Sequence, residues 1–87
     1  MTLFAILGHN DDPKLAAALA RHFPNDHLRI GQGQWLLAGK NTTVDVSNTL
    51  GITDGSNGSA IVVSISSYYG RASANVWEWM KVKLSAT

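Results

Sequence analysis

The stretch Ala60-Ile61-Val62-Val63-Ser64-Ile65-Ser66 constrains the fold of this chain of 87 residues more than any other. It is dense in β-branched side chains and follows the turn-forming loop Asp54-Gly55-Ser56-Asn57-Gly58-Ser59, so it reads as a strand. Ile61, Val63 and Ile65 share one of its faces, and Val62, Ser64 and Ser66 share the other, more polar one. A strand needs neighbours. The continuous apolar run Leu3 to Leu7, ended by Gly8, suits a central strand covered on at least one face. The chain contains no cysteine, so no disulfide, thiolate metal site or cysteine nucleophile is available. A domain this small must then be held by its core, by an oligomer interface, or by both.

Helix signals lie between the strands. His9-Asn10-Asp11-Asp12-Pro13 reads as a helix start: Asp11 or Asp12 caps the free backbone N–H groups and Pro13 fits the first helical position. Leu15, Leu19, His22 and Phe23 then fall on one side, and Pro24-Asn25-Asp26 ends the helix. His27-Leu28-Arg29-Ile30 and Gln34-Trp35-Leu36-Leu37-Ala38, joined by Gly31-Gln32-Gly33, form a hairpin pattern. Thr42 to Leu50 has poor intrinsic helix propensity. It nevertheless has cap residues at Asn41, Thr42 and Thr43 and a stop at Gly51, so a short helix is expected there, stabilised by packing. In the last segment Val76, Trp77, Met80 and Leu84 form a helical stripe, whereas Met80, Val82 and Leu84 also alternate with Lys81 and Lys83 as a strand would. Its length and the cap-like Ser73 or Asn75 favour the helix.

The order strand, helix, strand, strand, helix, strand, plus a C-terminal helix or strand, predicts an α+β fold. The expected form is a ferredoxin-like βαββαβ sandwich, with a four-stranded antiparallel sheet and two helices on one face, in one domain over residues 1–87. No internal repeat or linker interrupts it.

Charged residues make up 15% of the chain, against about 25% in an ordinary globular domain, and the net charge is +1. That balance argues against a protein that grips nucleic acid by a dense basic face, and against a charged disordered tail. The charges gather at helix ends, turns and the Lys81–Lys83 end, while Trp35 to Leu37 and Ala60 to Ser67 are nearly neutral, a surface suited to a partner chain. The apolar N-terminus lacks the basic start and cleavage site of a signal peptide, and no run approaches a membrane span. A cytoplasmic protein without membrane association is expected.

Several clusters are candidates for chemistry. His9, Asp11 and Asp12 lie just past the first strand; two carboxylates beside a histidine can hold Mg²⁺ or Mn²⁺ and position a phosphodiester, although cap chemistry explains both acids as well. His22 and His27 lack a third ligand at a metal-site spacing, and no cofactor or metal site is expected from them. Gly31-Gln32-Gly33 is a turn and not a phosphate loop, since no Gly-Lys-Ser/Thr follows. Tyr68, Tyr69 and Arg71 follow an apolar strand, and aromatics beside a guanidinium can stack bases and contact phosphate. The plainer reading has a tyrosine closing the core and Arg71 paired with an acid. Trp35, Trp77 and Trp79 are more tryptophan than a core this small takes comfortably. In a helix Trp77 and Trp79 point about 160° apart, so these residues are interface candidates.

The opening strand Thr2–Leu7, Gln34-Trp35-Leu36-Leu37, the Thr42-Thr43 helix start, Ile61-Val62-Val63-Ser64-Ile65 and a terminal segment carrying Trp77 and Trp79 together resemble small SinR-like and VapD-like proteins. These are ferredoxin-fold relatives of the small CRISPR-associated subunit used in spacer acquisition. The resemblance implies a homodimer and, in several members, metal-dependent nuclease activity carried by an Asp at the end of the first strand. Here Gly8 and His9 stand at that place, with Asp11 and Asp12 two to three residues later.

Three functions follow as expectations. The first is a non-enzymatic binding or assembly module, acting with itself as a homodimer or with a protein partner. The second is a metal-dependent nuclease using His9, Asp11 and Asp12 with Mg²⁺ or Mn²⁺. The third is a non-catalytic nucleic-acid binder using Tyr68, Tyr69 and Arg71.

Overall fold

A computed structural model describes residues 1–85. The elements run β1 (Thr2–Gly8), α1 (Pro13–His22), β2 (His27–Gly31), β3 (Gln34–Gly39), α2 (Thr43–Thr49), β4 (Ala60–Ile65) and α3 (Ala74–Ser85). The four strands form one sheet in the order β2-β3-β1-β4, with every neighbouring pair antiparallel. Over the described residues the fold is therefore α+β, with an antiparallel four-stranded sheet and three helices. The terminal segment is a helix, as its length and cap residues predict.

Alternation along the two central strands builds a core on each side of the sheet. Phe4 and Ile6 of β1 and Trp35 and Leu37 of β3 point to one face, where Leu15, Ala18 and Leu19 of α1 and Val46 and Leu50 beside α2 cover them. Leu3, Leu36 and Ala38 point to the opposite face and meet Met80 of α3, with Leu28, Ile65, Val76, Trp77 and Trp79 around them. α1 and α2 thus share one face and α3 lies on the other.

α1 begins as its sequence demands. Asp12 Oδ1 accepts a hydrogen bond from Lys14 N at 2.9 Å, Pro13 occupies the first turn, and Arg21 and His22 lie in the last turn where the helix dipole favours cations. His22 departs from the expected apolar stripe: it is exposed, and Ala18 takes its place in the core. The buried stripe is set by Leu15, Ala18 and Leu19, one turn earlier, and His22 in the last turn faces solvent. Asp12→Ala is expected to lower stability by about 1 kcal/mol, read as a shift in the urea midpoint. An unchanged midpoint would show that the cap is idle.

α2 compensates for its weak propensity with a capping box. Thr42 Oγ1 accepts from Asp45 N at 3.2 Å, and Asp45 Oδ2 accepts from Thr42 N at 3.3 Å. Val46 and Leu50 are buried one turn apart, while Val44 stays exposed.

The two faces of β4 separate as its alternation predicts, but their environments differ from their polarity. Val62, from the more polar set, packs against the core under α1 and α2. Ile61 and Val63 lie on the α3 face yet remain 64% and 37% exposed, together with Leu7 of β1 at 43%. The cause is the position of α3. Lys83 Nζ donates to Asn25 O at 2.7 Å and to Asp26 Oδ1 at 2.9 Å, which ties the helix end to the start of β2, at the opposite edge of the sheet from β4.

Candidate functional site

The loop after β1 is held in place by glycines and one carboxylate. Gly8 N donates to Gly33 O at 2.6 Å, and Gly33 adopts φ +68°, a left-handed conformation open to glycine. A Cβ on Gly8 would stand 2.7 Å from the Gly33 carbonyl oxygen, so strand end and turn approach as closely as backbone allows. Asp11 sits across this junction. Its carboxylate accepts from Gly33 N at 3.3 Å and pairs with the Arg29 guanidinium of β2. Arg29 in turn lies over the Trp35 ring, 5.4 Å from its centroid. Asp12, one residue on, caps α1. Both partners of the Asp11–Arg29 pair are more than a third exposed, so water screens it and its contribution is small.

This arrangement separates the three residues on which nuclease chemistry would rest. Asp11 faces the β2–β3 turn, Asp12 faces the first turn of α1, and His9 lines a cleft of about 390 Å³ with Leu7, Ser59, Ala60 and Ile61. Among the described residues no group of three His, Cys, Asp or Glu side chains is gathered to hold a metal ion. Divalent magnesium or manganese needs several oxygen ligands converging on one point, and Asp11 and Asp12 do not fit that requirement. The two remaining histidines also lie apart. His22 lines a shallow cleft with Lys14, Ala17 and Arg21, whereas His27 Nδ1 is 2.6 Å from the Phe23 carbonyl and its ring is tilted against Trp35.

The loop Asp54–Ser59 is held by bonds within itself and to its flanks. The Ser56 backbone N–H, and then the Ser56 side chain, hold the Asp54 carboxyl below the usual carboxylate range. Asn57 Nδ2 donates to Leu50 O at 2.8 Å and anchors the loop to the end of α2.

A second cluster lies after β4. The Tyr68 ring stacks on Trp77 at 6.0 Å and 20°, and Tyr68, Tyr69, Gly70 and Trp77 line an open cleft of about 250 Å³. Tyr69 and Arg71 are exposed. No salt bridge to Arg71 is formed among the described residues, so the acid expected to pair with it is not at hand.

The three tryptophans have different fates. Trp35 is a core residue at 5% exposure, which removes it from the interface candidates. Its side chain belongs to the sheet face that α1 and α2 cover. Trp77 and Trp79 are both half-buried. The helix lies with Met80 against the sheet, so one ring rests on Tyr68 and the other has Lys83 Nζ 5.9 Å above it.

The near-neutral stretch Ala60 to Ser67 is legible as a partner surface, but its joining with Leu7 into the apolar strip Leu7–Ile61–Val63 on the open part of the α3 face is not. These residues are neighbours across the β1–β4 ladder, in which Leu7 pairs with Ile61 and Ala5 with Val63. The signal in the sequence was the absence of charge: from Gly55 to Gly70 the chain carries no Asp, Glu, Lys or Arg. Among the described residues no helix is long and apolar enough to cross a membrane. No family model, no curated protein and no solved structure matches this chain.

Proposed function

We propose that this protein is a non-enzymatic assembly module that works as a homodimer on a ferredoxin-like scaffold. The observation that carries the reading is the exposed apolar strip formed by Leu7, Ile61 and Val63. Full burial of an exposed branched aliphatic side chain is favourable by roughly 1.5–3 kcal/mol, and Leu7, Ile61 and Val63, between 37% and 64% exposed, would each gain only the fraction of that still facing water. A partner surface is the natural cover, because α3 is tied to the far side of the sheet by Lys83. Strand order and helix placement support the ferredoxin-like reading: β1 and β3 are central, and α1 and α2 pack on one face. The resemblance to SinR-like and VapD-like proteins points the same way, since it implies a homodimer. Nuclease chemistry is the weaker reading, because the oxygens of Asp11 and Asp12 are engaged in holding a turn and a helix start.

Sedimentation velocity from low micromolar to several hundred micromolar protein is expected to show a monomer–dimer equilibrium. Ile61→Lys should shift it to monomer while far-ultraviolet circular dichroism stays unchanged. A strict monomer over the whole range would overturn the reading.

A further inference from the structure

We propose that the two copies join edge to edge through β4, paired antiparallel with itself about a two-fold axis centred on Val62, to form one continuous eight-stranded sheet. This rests on the homodimer reading above and names the surface that makes it.

The hydrogen-bond pattern shows which groups are available. In an antiparallel ladder each residue aims its N–H and C=O to the same side, and neighbours alternate. Gly8 N bonds to Gly33 O of the β2–β3 turn, and His9 N bonds to Ser59 O just before β4. Even-numbered residues of β1 therefore face β3 and odd-numbered ones face β4. Through the observed register, Ile61, Val63 and Ile65 spend their backbone groups on Leu7, Ala5 and Leu3. Ala60, Val62 and Ser64 aim theirs outward, at a sheet edge with no neighbouring strand among the described residues.

A second strand can satisfy such a row as water does while also covering its side chains, and the two edges of this sheet are not alike. β2 carries the devices that discourage pairing: it has a register irregularity between Arg29 and Gly31, and its five residues include His27 and Arg29. β4 has no bulge, no proline and no charge over six residues. A two-fold contact sets each residue against the same short segment, so any charge there would meet its own copy. The run without charge from Gly55 to Gly70 is what a self-complementary seam requires.

The outward groups also select the register. Two copies related by an axis normal to the sheet keep their faces aligned. Pairing Val62 with Val62 of the second copy and Ala60 with Ser64 engages all three outward residues, for about six interchain backbone bonds. A shift by one step would engage only Val62 and Ser64. The same register places Ile61 directly opposite Val63 of the second copy, so the exposed apolar side chains cover one another. On the helix side, Val44 of α2 is 65% exposed and borders a cleft of about 300 Å³ floored by Val62. Stable interfaces remove about 800 Å² per partner from water, more than a strand ladder covers alone. The α2 flank and the Ile61–Val63 strip therefore belong to the same contact.

Cysteine crosslinking tests this directly, because the chain has no cysteine of its own. Ile61→Cys and Val63→Cys chains, mixed and mildly oxidised, are expected to form the mixed disulfide, since directly opposed residues in a pair without mutual hydrogen bonds have Cα atoms about 4.5 Å apart. Val63→Cys alone should link to itself at least tenfold more slowly, because its own copy is a diagonal neighbour. Ser64→Pro removes an outward N–H from an exposed position without breaking the β1–β4 ladder. It should weaken dimerisation more than about tenfold with the thermal midpoint of the monomer retained. Preferential self-linking of Val63→Cys would overturn the register. A dimer that sediments normally, fails to form the mixed crosslink and ignores Ser64→Pro would overturn the β4 seam while leaving the homodimer in place. A monomer at every concentration would overturn both.

Discussion

Replacing Phe4 by alanine is expected to lower the unfolding free energy by about 3–5 kcal/mol. Phe4 is 1% exposed, lies on a central strand, and belongs to the core shared by α1, α2 and β3. Its removal deletes the transfer free energy of a ring and leaves a cavity that the neighbouring strands cannot collapse into. A domain of this size has a total stability of the order of 5–15 kcal/mol, and one near the lower end would be largely unfolded by the change. Urea titration followed by tryptophan fluorescence reads it: Trp35, in the same core, reports the transition, which should move to lower urea with an unchanged slope. A loss below about 1 kcal/mol would show that Phe4 does not sit where the two helices meet the sheet.

The second large effect is expected at Gly33. Two separate terms act there. A non-glycine residue at φ +68° pays about 1–2 kcal/mol for the left-handed backbone. Its Cβ would also stand 2.9 Å from the Asn10 carbonyl oxygen, and relieving a contact that close costs about 1–3 kcal/mol more. Gly33→Ala should therefore destabilise clearly more than Gly55→Ala, because Gly55 has a similar φ of +75° but open space where its Cβ would be. The difference between the two variants isolates the close approach of turn and loop. Equal losses, measured by thermal or urea unfolding, would show that the junction of Gly8, Asn10 and Gly33 is loose and that only backbone conformation matters.

The same junction explains what was and was not legible about the candidate site. The sequence indicates that Asp11 and Asp12 open a helix beside a strand end, and Asp12 does cap α1. The role of Asp11 depends on Arg29 and Gly33, which lie 18 and 22 residues away along the chain. No local pattern announces a pairing of that span. It exists because the β2–β3 hairpin folds back beside β1 and brings its turn to the end of that strand. Trp35 shows the same limit in another form. Tryptophan count suggested a surplus for an interface, but burial is decided by the parity of a residue on its strand and by which face the helices cover.

Patterning carried most of the architecture. Apolar alternation, cap residues and glycine turns located all seven elements, because each signal acts within a few residues of its own element. The short helix α2 is instructive: its composition disfavours a helix, yet Thr42 and Asp45 satisfy its first turn and Val46 and Leu50 anchor it, so capping and packing outweigh propensity.

What the chain could not declare along its length is which apolar surface stays uncovered. Alternation sets Ile61 and Val63 on the more apolar face of β4 and Val62 on the more polar one, which by type would bury the first two. Only the tertiary structure decides which face is covered: α1 and α2 cover the face that takes Val62, whereas Lys83 holds α3 to the β2 side of the opposite face and leaves Leu7, Ile61 and Val63 open beside the β4 edge. Local pattern determines where strands and helices form, since propensity, caps and alternation are short-range. The position of one terminal helix over a sheet, and with it the surface left for a partner, is decided by contacts between residues nearly sixty positions apart.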